Sequence, residues 1–274
     1  MRWLRFILSH SIFISFCASA LGAQAFILYR EQINFSACIL LFFLTLGSYN
    51  LYWILSKLSF GRRSVILKGS YANIFLGLIS VVGAAFILWE HPSFVPHLVI
   101  PVTLTIAYSL PLWPGKIFEN LRKAGFMKTI LLALAWSWNT IFLPLQVQVH
   151  ESDSELLILF GARFFFMLML CLIFDSRDAR VDKIRSLSSL ATQLTPLQLS
   201  WFFSITFLLF MCMGFLFRIM NGETFQLFAF AVAGIVTWIT YRLSLKPRGY
   251  FFYYFFVDGL MLFSSVATII ASIL

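Results

Sequence analysis

Charge is what this chain has least of. Asp, Glu, Lys and Arg together make up 11% of the 274 residues, against 61% hydrophobic residues. A soluble domain needs far more polar surface than this. No polar stretch is long enough to cover a core of its own, which excludes a separate soluble domain. Acidic residues are scarcer still, and none occurs between Glu31 and Glu90. The four cysteines (Cys17, Cys38, Cys171, Cys212) lie inside apolar runs and show neither metal-ligand spacing nor a disulfide framework. They read as packing residues. His10, His91, His97 and His150 form no ligand constellation.

What is present is a series of apolar runs near the ~20-residue length that crosses a bilayer. They place spans at about 6–28, 34–56, 70–89, 95–112, 126–146, 155–174, 198–217, 225–243 and 250–272. Backbone groups in lipid must be satisfied internally, so all nine are read as helices. The expected fold class is therefore an all-α polytopic membrane protein, with residues 1–274 forming a single integral-membrane domain. The fourth span is the weakest, being short and carrying Pro96 and Pro101. The first competes with a secretory signal, because Met1-Arg-Trp-Leu-Arg5 precedes an apolar stretch and Ala23-Gln-Ala25 resembles a cleavage site. Apolar character resumes at Phe26, and the segment is read as a retained helix.

The connections alternate in charge. One set holds Arg2 and Arg5, then Lys57, Arg62, Arg63 and Lys68, then Lys116, Arg122, Lys123 and Lys128. It continues with Arg177, Arg180, Lys183 and Arg185, and with Arg242, Lys246 and Arg248. The other set has only Arg30 and Arg218 among bases, beside Glu31, Glu90, Glu151, Asp153, Glu155 and Glu223. The positive-inside rule makes the first set cytoplasmic and puts the N-terminus inside. A bacterial inner membrane is the expected location. Bases sorted by side in this way do not point to nucleic acid.

Three of the few carboxylates, Asp175, Asp178 and Asp182, follow the apolar run 164–172. If that helix continues through them, the i, i+3, i+7 spacing puts all three on one face. Like charges packed so closely need a cation between them, although the interleaved bases also allow a self-neutralised helix end. The second span ends Gly47-Ser-Tyr-Asn-Leu-Tyr-Trp-Ile-Leu-Ser-Lys57, an even number of crossings away and so at the same membrane face. Asn50 and Lys57 share a helical face there, and Asn50 alone reads equally as an interhelical hydrogen-bonding residue. The loop with Tyr108, Lys116, Arg122 and Lys123 suits either a phosphate clamp or anionic lipid headgroups. Two charges lie inside spans, Arg163 and Asp258. Such groups face the bundle interior and usually have partners, which leaves an Arg163–Asp258 pair open. Tyr250, Tyr253 and Tyr254 read first as an interfacial anchor and second as cavity lining.

Together these features resemble the UbiA superfamily of intramembrane prenyltransferases. Asp175-x-x-Asp178-x-x-x-Asp182, with Lys183-Ile-Arg-Ser after it, is similar to the family's second Asp-rich motif. Tyr108-Ser-Leu-Pro with Lys116 resembles its Tyr-Ser…Lys loop, and Asn50 matches the Asn that opens the first motif. The resemblance implies a nine-helix UbiA-like bundle that moves an isoprenyl group from a polyprenyl diphosphate to a lipophilic acceptor among membrane lipids. It further implies Mg2+ held by Asp175, Asp178 and Asp182, and diphosphate held by Lys116, Arg122, Lys123 and Arg177, with Asn50 and Tyr108 at the rim. The first motif departs from the pattern, because Leu51, Tyr52, Trp53, Ile54 and Leu55 stand where aspartates are expected. Lys57 is then the residue that would supply part of the missing positive charge. Two other classes fit parts of the pattern: a non-catalytic isoprenoid-binding subunit of the same fold, and a secondary transporter. Transporters usually carry internal repeats and broken helices at mid-membrane, and no clear pair of these is found.

Overall fold

The computed structural model of the chain describes residues 2–59, 71–109, 125–146, 154–184 and 189–274. Helices α1 (Arg2–Ser9), α2 (Ile12–Leu28), α3 (Phe35–Ser59), α4 (Tyr71–Glu90), α5 (Val95–Ser109) and α6 (Gly125–Leu145) come first. They are followed by α7 (Ser154–Ile184), α8 (Leu190–Gln193), α9 (Pro196–Asn221) and α10 (Thr224–Ser244). A π-helical turn, Phe252–Val257, then leads into α11 (Asp258–Ile273). No strand occurs among the described residues. A chain immersed in lipid has no water to satisfy open backbone groups, which is why helices take all of it.

Six helical segments are long and apolar enough to cross a membrane, or seven if the bent pair α1–α2 counts as one span. Nine were expected. The fourth expected segment carries α5, whose apolar stretch is short and contains Pro101. The expected first span is broken: Ser11 adopts a left-handed backbone (φ 62°) and the chain bends by 66° between α1 and α2. On the short α1 the apolar Trp3 is 82% exposed.

α6, α7, α9, α10 and α11 pack in succession, and α2 packs on both α11 and α6, so these helices close into a ring, with α3 and α4 packed onto α2's side and α5 onto α6. α7 is its most enclosed member: two thirds of its apolar stretch is buried, against about a fifth for α4. The larger core gathers α2, α6, α7, α9, α10 and α11 around residues such as Leu21, Phe166, Leu172, Phe203 and Tyr241. A smaller one joins α2, α3, α4 and α6 through Phe26, Leu40, Leu41, Ile87 and Leu143. Lipid tails are as apolar as leucine, so association depends on close approach and interhelical hydrogen bonds. Gly22 provides the first, since a Cβ there would collide with Leu41. Gln24 provides the second, donating to Ser264 O at 3.1 Å and to Thr268 Oγ1 at 2.7 Å across the α2–α11 seam. All four cysteines are unpaired.

Candidate active site

At one end of the ring, α1, α2, α3, α6, α7 and the last helix enclose a chamber of about 500 Å³. The α7 wall is a helical stripe: Met167, Leu170, Cys171, Phe174, Asp175 and Asp178 all line it. The helix does continue through the carboxylates, as the condition on their spacing required. Asp175 and Asp178 therefore extend an apolar face into a polar one. Thr129 of α6 donates to Asp175 Oδ2 at 2.6 Å, a contact that orients this carboxylate. Arg177 holds Asp178 in a bidentate pair, Nε to Oδ1 at 2.7 Å and Nη2 to Oδ2 at 2.8 Å. Its guanidinium also lies 4.9–5.1 Å from the ring centres of Phe174, Tyr253 and Tyr254. Planarity lets Arg do both at once.

Tyr250 and Tyr254 line the chamber, in keeping with the second reading of these tyrosines. Lys128 also lines it, as do Tyr49, Tyr52, Trp53 and Trp136. Lys128, Thr129 and Trp136 were not singled out by sequence. An i, i+1, i+8 pattern on α6 was available, but nothing in it told which side of α6 faces inward.

Asn50 sits differently from its expected place at the rim. It is fully buried and absent from the chamber lining. Its Nδ2 donates to Leu46 O at 2.8 Å and to His10 O at 3.4 Å, tying α3 to the α1–α2 break. The chamber face of α3 is Tyr49–Tyr52–Trp53, one residue round from Asn50. The open Arg163–Asp258 pairing is not formed: Arg163 is buried with Nη2 donating to Leu21 O at 3.2 Å, while Asp258 lines the chamber. Lys116, Arg122 and Lys123 lie outside the described residues, as do the side chains of Lys57, Tyr108 and Asp182.

A second cavity, about 350 Å³ and almost wholly apolar, lies beside this one between α3, α5 and α6. The two share Tyr49, Tyr52, Leu132 and Trp136 as their common wall. Leu51, Val102 and Ile106 line the second cavity and are each about half exposed, so it reaches the lipid-facing side. The arrangement is amphiphilic, with a charged chamber at one end of the bundle and an apolar gallery leading sideways.

For magnesium, the described donors are two hard carboxylates one helical turn apart, facing a chamber wide enough for phosphate oxygens. That suits an ion usually held by one or two carboxylates plus substrate phosphates. No group of three ligating side chains comes together among the described residues. The fit is thus to a site that the substrate completes.

The ring of helices, with a carboxylate pair on α7 over a chamber at one end, has a counterpart among solved structures. A solved structure of digeranylgeranylglyceryl phosphate synthase matches over 100% of this chain and 99% of its own, with a TM-score of 0.61 and 15% sequence identity. At that identity the likeness is one of fold. No family model and no curated protein matches the sequence.

Proposed function

We propose that the chain is an integral-membrane prenyltransferase, active on a polyprenyl diphosphate and a lipophilic acceptor at the cytoplasmic side of a bacterial inner membrane, with residues 1–274 acting as one domain. The observation that carries this reading is that chamber and gallery lie side by side, with Tyr49, Tyr52, Leu132 and Trp136 as their shared wall. A carboxylate pair, Arg177 and Lys128 stand at a polar end, and an apolar passage to lipid begins at Tyr49 and Trp136. A diphosphate with an isoprenoid tail has this same division of character. The fold shared with digeranylgeranylglyceryl phosphate synthase supports the reading at the level of architecture.

Asp175 and Asp178, with Asp182 on the next turn of the same face, would hold Mg2+. When bound, that ion would neutralise charge developing on the leaving diphosphate. Thr129 keeps Asp175 turned toward the chamber. Arg177 and Lys128 supply positive charge within it, and Lys116, Arg122 and Lys123 would add to this from their loop, with Tyr108 beside them. Arg177 is held by three rings and Asp178, so its charge is fixed before substrate arrives. The aromatic walls exclude water from the reacting carbon. Asn50 serves this reading by fixing α3 to the α1–α2 break. Lys57 would replace part of the charge that a second magnesium ion otherwise brings, and as a monovalent group it replaces only part.

One observation favours a second reading, a non-catalytic isoprenoid-binding subunit. Tyr49, Tyr52 and Trp53 form the α3 wall, where a second set of carboxylates would be needed for a two-ion site. Incubating the purified full chain with Mg2+, labelled isoprenyl diphosphates of several lengths and a membrane-lipid extract separates the two. Diphosphate release that requires Asp178 supports transfer. Diphosphate that binds and is never released supports the subunit.

A further inference from the structure

The chamber takes one residue from α4, and that residue has no part in the function proposed above. Asn73 is 4% exposed and lines the chamber. Its amide makes no hydrogen bond among the described residues. Other buried polar groups nearby are satisfied. Ser80, on the same buried face of α4, donates to Leu76 O at 2.6 Å, and Asn50 on the facing helix donates to Leu46 O and His10 O. A buried amide without partners costs free energy in a membrane bundle, where no water takes their place. Such a group in a native fold calls for a reason, and Asn73 borders a cavity.

Packing puts the amide on the wall that lacks charge. The main partner of α4 is α3. Across this antiparallel pair Gly47 faces Ser80, and Gly83 faces Phe43. Continuing that register along both helices brings Asn73 level with Trp53 and Ile54. Trp53 lines the chamber too, with Tyr49 and Tyr52 on the same helix. Among the described residues this wall is aromatic and carries neither carboxylate nor base. Asp175 and Asp178 stand on another wall, that of α7. An amide suits the α3 side if the bound molecule is anionic. Its NH2 group has two donors, and a hydrogen bond to an ionised oxygen is roughly twice as strong as one between neutral groups. It also brings no negative charge that a second metal ion would have to balance. A ligand with two linked anionic groups can then be held from both walls at once.

We propose that Asn73 reads the second phosphate of the substrate and so sets specificity for a diphosphate over a monophosphate. This rests on the reading that a polyprenyl diphosphate occupies the chamber. One phosphate sits with Mg2+ at Asp175 and Asp178, and Asn73 Nδ2 donates to an oxygen of the other. A monophosphate meets the α7 wall alone and leaves the amide unpaired.

The test is equilibrium binding to the purified full chain, in saturating Mg2+, of geranylgeranyl diphosphate beside geranylgeranyl monophosphate. The wild type should bind the diphosphate at least about tenfold more tightly, as expected from a hydrogen bond to a charged group. Asn73→Leu should lose that preference, weakening diphosphate about tenfold while monophosphate affinity stays within twofold. Thermal unfolding of the ligand-free chain separates this from a structural role. Asn73→Leu should melt no lower than wild type, because it removes a buried amide that lacks partners. Asn73→Asp should bind diphosphate weakly at low Mg2+ and recover as Mg2+ rises, since a carboxylate on this wall needs an ion of its own. A wild type that binds both ligands equally overturns the proposal, as does an unchanged preference in Asn73→Leu. Loss of both ligands with a lower melting temperature in Asn73→Leu overturns it by showing a structural role. Asn73→Asp that matches wild type at every Mg2+ concentration also overturns it. A wild type that binds neither ligand overturns the diphosphate reading itself, and this proposal with it.

Discussion

At the end of the ring away from the chamber, Arg30 meets Glu223 at 3.0 Å and donates to Asn221 O, while Asn221 donates to Glu155 at 2.8 Å. Charge there is spent on joining helix ends. At the chamber end, Asp175, Asp178 and Asp258 face a cavity, and Arg177 Nη1 is buried without a hydrogen-bond partner among the described residues. The same few charged residue types thus do two jobs. The pairs at the far end join separate helices, whereas the Arg177–Asp178 pair lies within α7 and faces a cavity. The contrast also matches the two charge sets of the sequence, since Arg30, Glu155 and Glu223 belong to one and Arg177 and Lys128 to the other.

The comparison breaks outright if the chamber end faces the wrong way. In a Cys-free background, single cysteines at positions 62, 116, 178 or 246 should resist impermeant thiol reagents in intact cells, and a cysteine at position 30 should react. Labelling of position 178 from outside would reverse the orientation and remove the chamber from cytoplasmic diphosphate.

Within the chamber, Asp178→Asn should have the largest effect. Mg2+-dependent binding of a polyprenyl diphosphate should weaken by at least about 100-fold, because a neutral amide is a poor ligand for a hard cation. Helix content should not change, since Asp178 is about half exposed. Unaltered binding would mean that the carboxylates only neutralise their own helix end. Thr129→Val should act in the same direction by about tenfold, as expected when the group orienting a ligand is lost. Titrating diphosphate binding against Mg2+ concentration would show it as a shifted midpoint. Lys57→Ala should slow transfer several-fold without altering Mg2+ affinity, because an ammonium supplies charge but no coordination.

The smallest effect belongs to the opposite end. Glu223→Ala removes a pair whose side chains are 56% and 42% exposed. Such a pair contributes at most about 1 kcal/mol, so thermal stability should fall by a few degrees at most. Diphosphate binding should stay as it was. A loss of binding in Glu223→Ala would show that the two ends are coupled, and the division drawn here would fail.

Much of this was legible without coordinates. Membrane residence, the helical segments and the segregation of charge follow from apolar run length and from the cost of moving bases across lipid. The shared face of Asp175 and Asp178 follows from helical period alone, and α7 does run through both. Period, however, relates residues only within one unbroken helix. It does not state how that helix is rotated against its neighbours. Asn50 and Tyr49 are adjacent in sequence, yet packing turned Tyr49 into the chamber and Asn50 toward His10. Breaks hide more again. The left-handed Ser11 bends the first segment away from a single span, and the π turn at Phe252–Val257 shifts the register of everything after it. The direction of Asp258 was therefore beyond any count of 3.6 residues per turn. That it meets the chamber while Arg163 does not was decided by tertiary packing, because only the closed ring sets which intramembrane charges share a space.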